Sequence, residues 1–335
     1  MKKLCFITLF LVFLLSSISC TTKVQTPKED EIEIANTEPV ASQLTSPYTG
    51  ETLKSNIYTN TAFMAIIENS KSSRPQSGLN EADIVFETLA EGGIPRFIAL
   101  FHKNSPNVIG PIRSVRPYFI DIAKDFNIPF AHCGGSTEGL NIIKNESLMS
   151  LNEMQNGKYY WRDKKRKAPH NLYTSASKLR DLIDNKNFSP SMKSFLVFDN
   201  KYWDNNSLEN ASSIKIKVSP SYTTSYNFTN NSYTKYIDGN ELIDKEDSSP
   251  ISFDNIVIQL TSIKLSNDNL HVNIDLSSTG PCYVFSKGKI KKGIWVKDSL
   301  SNTILIDDKG NPIPLSSGKT WWNIFDSDST INIEN

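Results

Sequence analysis

The chain has 335 residues, 38% of them hydrophobic and 21% charged, which is enough apolar material for two ordinary domains with real cores. Its 36 basic and 36 acidic side chains cancel. That balance excludes a global field drawing the protein onto nucleic acid or an acidic membrane, so any recognition by charge must be local.

The first twenty residues, MKKLCFITLFLVFLLSSISC, combine a basic start (Lys2, Lys3), an apolar run from Leu4 to Leu15 and small residues leading to Cys20. This is the pattern of a secretion signal. The apolar run is shorter than the roughly 20 residues a membrane-spanning helix needs. Small residues ending at a cysteine resemble a bacterial lipobox, with Ser17 where Leu is usual and Leu15 further back. The expectation is cleavage before Cys20 and lipid attachment to it, which places the protein on the extracytoplasmic face of the membrane. Residues 21–46 carry several acids, scattered Thr, Ser and Pro and no aromatic side chain, and are expected to be a disordered tether.

A first domain is expected over 47–205. TAFMAII (61–67), ADIVFETLA (82–90), RFIALF (96–101), IPFAHC (128–133) and SFLVF (194–198) are predicted strands. PYFIDIAKDF and TSASKLRDLID have helical spacing, as does the stretch carrying Leu140 and Ile143 behind an N-cap at Ser136. Strands interleaved with helices predict an α/β domain with a mixed sheet. From about Asn210 the helical period disappears. SIKIKVS, NIVIQLTSI, LHVNIDL, CYVF, GIWVK, NTILID and TWWNIF follow, with turn signals at Asp238-Gly239, Lys287-Gly288 and Lys309-Gly310-Asn311. A smaller all-β domain over 210–328 is expected. Cys133 and Cys282 fall in different predicted domains; an oxidising compartment would allow a disulfide between them, and two buried free thiols are the commoner fate.

Three segments concentrate unusual polar residues. In SRPQSGLNEADIVFETLAEGGIPRF, Asp83, Glu87 and Glu91 share one strand face in the extended reading and so cluster, with Arg74 and Arg96 nearby. In GPIRSVRPYFID, Arg113 and Arg116 precede a helix start, where positive charge is unfavourable unless something negative lies alongside. The chain then reaches His132 at a strand end and Gly134-Gly135-Ser136 at a helix start, an arrangement that can point backbone N–H groups at an anion. Because neighbouring strand residues face opposite ways, His132 and Cys133 do not make a nucleophilic dyad. The third segment, YYWRDKKRKAPHNLYTS, holds Arg162, Arg166, His170 and Asn171 just before a helix capped near Thr174 or Ser175. Gly318-Lys319-Thr320 is not a phosphate-binding loop, because Ile313 stands where the first glycine belongs. The four scattered histidines and the absence of paired cysteines argue against a metal site, and no cofactor is expected.

SRPQSGLNEADIVFETLAEGGIPRFIALF, IGPIRSVRPYFIDIA, AHCGGS, RDKKRKAPHNLYT, GPCYVF, KGKIKKGIWVK and SSGKTWWNI resemble the corresponding stretches of the YerB-type lipoproteins of Gram-positive bacteria. The resemblance spans roughly residues 46 to 326. It implies a surface lipoprotein whose main domain has no known function, followed by a smaller β domain, and it assigns no reaction and no catalytic residues.

Three functional readings remain. In the first, a lipid-anchored envelope protein binds an anionic wall polymer, a glycan or a membrane protein partner. Arg74, Arg96, Arg113, Arg116, Arg162 and Arg166 act as charge clamps, with Asn171 and the Gly134, Gly135 and Ser136 backbone as further contacts. In the second, an envelope hydrolase or transferase acts on peptidoglycan or a phosphate-linked polymer, with His132 or His170 as acid or base and Asp83 or Asp121 orienting it. The third is purely structural, the arginines neutralising Asp83, Glu87 and Glu91. Histidines and an acid converging in one pocket would favour chemistry, and dispersed histidines would favour binding.

Overall fold

Alternation along the strands decides which residues reach which layer. The structure is a computed structural model that describes residues 44–54, 60–190, 194–268 and 271–335; the predicted signal segment, Cys20 and nearly all of the tether lie outside the described residues. The first half contributes β1 (Phe63–Ile67), β2 (Ile84–Leu89), β3 (Pro95–Phe101), β4 (Phe130–His132) and β5 (Ser150–Asn152). In β1, Phe63, Ala65 and Ile67 enter one core and Met64 and Ile66 the other, as a period of two requires. Helix α1 (Pro117–Phe126) starts with proline at its first position and ends at Asn127 in the left-handed region, both standard stop-and-start chemistry. Helix α2 (Thr137–Asn145) is capped by Ser136, whose Oγ accepts from Gly139 N at 3.2 Å. A single turn, α3 (Glu153–Asn156), follows β5, and α4 (Ala176–Asn185) is capped by Ser175.

The second half is almost entirely strand: β6 (Ser213–Ser219), β7 (Tyr222–Thr229), β8 (Ser232–Ile237), β9 (Asn255–Thr261), β10 (Gly280–Ser286), β11 (Lys289–Lys297), β12 (Thr303–Ile306), β13 (Thr320–Asp326) and β14 (Thr330–Glu334), besides shorter pieces. Positive φ at Asp238 and Gly239, and at Lys287 and Gly288, closes the hairpins, matching the predicted turns.

The two halves share one eleven-stranded mixed sheet, ordered β12-β11-β10-β9-β13-β2-β3-β1-β4-β5, with Glu209–Asn210 beside β11. The junction is β13, parallel to β9 on one side and to β2 on the other. Residues 43–335 accordingly form one compact unit. On one face of the sheet lie α1 and Trp203. On the other lie α4 and a second sheet containing β8-β7-β6-β14. The predicted strand SFLVF is not one. Phe195 packs against Phe126 with the rings tilted and their centroids 4.9 Å apart, and Phe198 makes only an isolated bridge to Leu315, so this apolar run is a connector packed beside α1.

The acids of the first polar segment do not cluster, because the strand covers only Ile84–Leu89 and leaves Asp83 before it and Glu91 beyond it. Asp83 lies before β2, fully buried, its Oδ2 accepting from the backbone N–H groups of His102 and Lys103 at 2.5 and 3.0 Å. Burial pushes its carboxyl up to about 6, against those two hydrogen bonds. Glu87 faces the second sheet, where both it and Lys235 are completely buried and their Oε2 and Nζ sit 2.7 Å apart. Trp321 Nε1 donates to the same oxygen at 2.8 Å, and Tyr222 OH donates to the other at 2.6 Å. Lys235 also donates to Tyr226 OH at 2.9 Å and lies 4.2 Å from the Trp321 ring; burial lowers its ammonium to about 8. Glu91 falls beyond the strand altogether. The expected acidic cluster is therefore three separate sites, and neither Asp83 nor Glu87 reaches a cleft.

His132 is likewise a core residue. Its Nδ1–H donates to Gly134 O and its Nε2 accepts from Ser150 Oγ, both at 2.8 Å. Burial drives the imidazole down to about 4, so it stays neutral where a general base would titrate.

Two outcomes follow from these contacts. Replacing Lys235 by Met should destabilise the protein by about 3–5 kcal/mol in urea unfolding, because Glu87 is left charged and unpaired, while Glu87→Leu with Lys235→Met should cost less than the single change. For His132, the unfolded chain takes up a proton near pH 6.5 that the folded chain refuses until about pH 4. Its stabilising contribution is full above the first value and is lost as pH falls toward the second, by roughly 3 kcal/mol. Asp83 changes stability in the opposite direction over part of that window, so the readout is a difference. The unfolding free energy of the wild type relative to His132→Gln should shrink from pH 6.5 to 4 while remaining flat above pH 7.

Candidate functional site

β3 is antiparallel to both β1 and β2, while β4 and β5 run parallel to β1. β1, β2, β4 and β5 therefore end at one edge of the sheet, the edge where side chains of α/β folds commonly gather into sites. Following those ends in the chain are Glu68 after β1, Glu91 after β2, Cys133 after β4 and Glu153 after β5. The stretch 112–116 is laid across them. Arg113 N donates to Ile66 O at 2.9 Å, Cys133 N to Arg113 O at 3.0 Å, and Val115 N to Gly134 O at 3.1 Å. This is why Arg113 and Arg116 stand at the carboxyl edge.

Neither arginine faces Glu87. Arg116 pairs through Nε with Glu91 Oε1, and Arg96 binds Glu91 Oε2 and Ser114 O at 2.8 and 3.0 Å. Burial opposes ionisation of Glu91, and the Arg96 and Arg116 guanidiniums outweigh it, holding the carboxyl below its usual range. Glu68, almost entirely buried, is a second acid at this edge. Its two oxygens are each 2.9 Å from His170 Nδ1, and Ser70 Oγ donates to Oε1 at 2.9 Å. Arg113 Nε is 3.5 Å from Glu68 Oε2. That is an ion-pair contact only. Its buried Nε has no hydrogen-bond partner, and no described residue receives a hydrogen bond from its terminal nitrogens.

The remaining predicted contacts mostly build loops. Arg166 donates to the carbonyls of Ser73 and Pro75 at 2.6 and 2.7 Å. Asn171 donates to Asp163 O and Arg166 O, and its Oδ1 accepts from Arg162 at 2.9 Å. Arg74 binds Asn69 O and Oδ1 and lies 5.5 Å from the Tyr222 ring. The Gly-Gly-Ser turn is not an open anion nest: Gly134 N donates to Asn152 Oδ1 at 3.0 Å and Ser136 N to Val115 O at 3.2 Å. The turn needs glycine for close packing, since a Cβ at Gly135 would sit 2.6 Å from a Val115 methyl. Cys133 and His132 point apart, the thiol donating to Glu153 Oε2 at 3.3 Å. Burial and that carboxylate push the thiol up to about 11, so it supplies no thiolate at neutral pH.

The edge thus brings together Arg113, Arg116, Arg96 and His170 from the predicted set, and leaves His132 and Asp83 in the core. Asp121 lies elsewhere, on the outer face of α1, and accepts no hydrogen bond from any described residue. Burial raises its carboxyl above the usual range, Lys124 and Lys297 pulling the other way. Sequence reasoning missed Glu68, the residue that orients His170. Its signal was available: an acid directly after the apolar run of β1, in IIENS, at the end of a strand.

The sequence matches two family profiles, described as the N-terminal domain of a protein of unknown function, DUF3048, over residues 48–189 and the C-terminal domain of the same family over residues 213–322. A Bacillus subtilis (strain 168) protein named "Putative lipoprotein YerB" is 29% identical over 322 residues, 94% of this chain and 92% of that one. The crystal structure of the YerB protein from Bacillus subtilis superposes with a TM-score of 0.78, covering 87% of this chain and all of that one. The two matched regions correspond to the helix-containing first half and the strand-rich second half of the shared sheet, and by these matches the chain belongs to the YerB-like DUF3048 family.

Proposed function

We propose that the protein is a lipid-anchored cell-envelope protein, displayed on the extracytoplasmic face, that binds an anionic envelope polymer at the carboxyl edge of its sheet. The anchor rests on the signal pattern ending at Cys20 and on the lipoprotein name of the Bacillus relative. The single observation behind the binding site is Arg113. It is half-buried, held beside Glu68 and His170, and its terminal nitrogens donate to no described residue. A guanidinium so placed suits bidentate contact with a phosphate or carboxylate. His170, with Nδ1 on Glu68, keeps Nε2 for the same ligand.

One observation favours the hydrolase reading. A histidine whose Nδ1 is fixed by a carboxylate has the orientation of a general base. Against it, His132 does not converge on His170, and the Cys133 thiol is raised rather than activated.

Cys20→Ala should abolish palmitate labelling and shift the protein from the membrane fraction to the medium. In detergent micelles, polyglycerol phosphate should bind the full-length protein, and Arg113→Ala should weaken that binding about 10- to 100-fold, the effect of losing one or two charge-assisted hydrogen bonds. Unchanged affinity in that variant would remove the anion site. Shortening of the polymer during the titration, lost in His170→Gln, would instead establish the hydrolase.

A further inference from the structure

The outer face of α1 borders two cavities, one of about 660 Å³ beside its first turn and one of about 580 Å³ beside its last. Both have the volume of small-molecule sites. They meet at Asp121 and Ile274, which line both. Together they make a two-lobed groove along a helix of ten residues, about 15 Å long. One wall is α1, from the first family region. The other is the hairpin Ile263–Leu265 with Val272–Ile274, the turn after it, and Lys297–Ser301, all from the second.

The walls are tied together at one end by contacts within the protein. Asp125, on the last turn of α1, accepts from Lys297 Nζ at 2.7 and 2.8 Å and from Thr303 Oγ1 at 2.7 Å. This clamp fixes the second lobe before any ligand arrives, which lowers the ordering cost of binding.

The chemistry of the lining selects the ligand. Its basic side chains already have partners: Arg116 on Glu91, Lys124 on Glu146, His271 on Asp268 and Lys297 on Asp125. What is left for a ligand is the Asp121 carboxylate, the Glu138 carboxylate at the α2 start, and neutral hydrogen-bonding groups such as Ser136, Thr137 and Asn273. A polyanion meets uncompensated negative charge here. A polymer rich in hydroxyl groups finds acceptors and donors along two lobes, with Ile274 and the exposed Leu300 offering apolar surface for the C–H faces of sugar rings.

We propose that this groove is a glycan-binding site in which an uncharged linear polysaccharide lies along α1 and donates hydroxyl hydrogen bonds to Asp121 at the junction of the lobes. The proposal rests on the envelope-polymer reading for its choice of polymer but uses different residues, so Arg113→Ala and Asp121→Ala separate the two. Isothermal titration of the full-length protein in detergent micelles with the N-acetylglucosamine tetramer tests it. Binding is expected, weakened about tenfold or more by Asp121→Ala, as for loss of one charge-assisted hydrogen bond, and unaffected by Arg113→Ala. Asp121→Asn, nearly isosteric and still an acceptor, should fall between wild type and Asp121→Ala, and it carries the same readout should the alanine variant change the melting temperature. No binding of the tetramer, binding indifferent to both Asp121 variants, or displacement of the tetramer by pentalysine would overturn the proposal, the last by assigning the groove to a basic peptide.

Discussion

The salt bridge between Glu87 and Lys235 sets the arrangement on which the rest of the structure depends. Both side chains are completely buried, and removing either partner leaves a charge in the core at a cost of several kcal/mol. Glu87 belongs to β2 and Lys235 to β8, and the tryptophan sharing the carboxylate belongs to β13, the strand inserted between β9 and β2. The first family region therefore cannot shift in register against the second without stranding the pair. On the opposite face of the sheet, Asp125 and Lys297 join α1 to β11. These two clamps, one on each face, hold residues 43–335 as one unit and fix the distance between the walls of the groove along α1.

Within that frame, most charge at the carboxyl edge is mutually satisfied. Glu91 takes Arg96 and Arg116, and Glu68 takes His170. Two groups of opposite sign keep hydrogen-bonding capacity: Arg113, in ion-pair contact with Glu68 but with terminal nitrogens that donate to no described residue, and, away from this edge, Asp121, which accepts from none. They lie on one continuous segment, the strand-like crossing and the helix that follows it. A polymer carrying both anionic and neutral parts would find a cation at one and an acceptor at the other. That pairing gives the two family regions a reason to stay together, because the crossing belongs to the first while one groove wall belongs to the second.

Much of this was legible from local chemistry. The apolar runs of β1 to β4, the proline that starts α1 and the serine caps of α2 and α4 depend on neighbours a few residues away. The strand order was not legible, because TWWNIFD pairs with β2 from the far end of the chain and nothing in either stretch specifies the other. β7 and β8 were hidden for a related reason. Their inward residues are Tyr and Lys as well as Ile, and a buried lysine reads as solvent-facing until its Glu87 partner is in view. Arg113 and Arg116 could be seen to require a negative partner, yet which acid answered depended on where β2 ends: Glu91 lies past the strand and so reaches the edge, whereas Glu87 points into the second sheet. The Gly-Gly-Ser turn misled for a different reason. The N–H groups of Gly134 and Ser136 are committed to Asn152 and Val115, contacts that only the tertiary structure supplies.

The central claim is that one ligand surface is built jointly by the two family regions. Hydrogen–deuterium exchange on the full-length protein in detergent micelles, with and without the N-acetylglucosamine tetramer, measures this most directly. The account predicts slowed exchange in α1 (Pro117–Phe126) together with residues 272–278 of the second region. Slowing confined to one region, or located away from the groove, would contradict it.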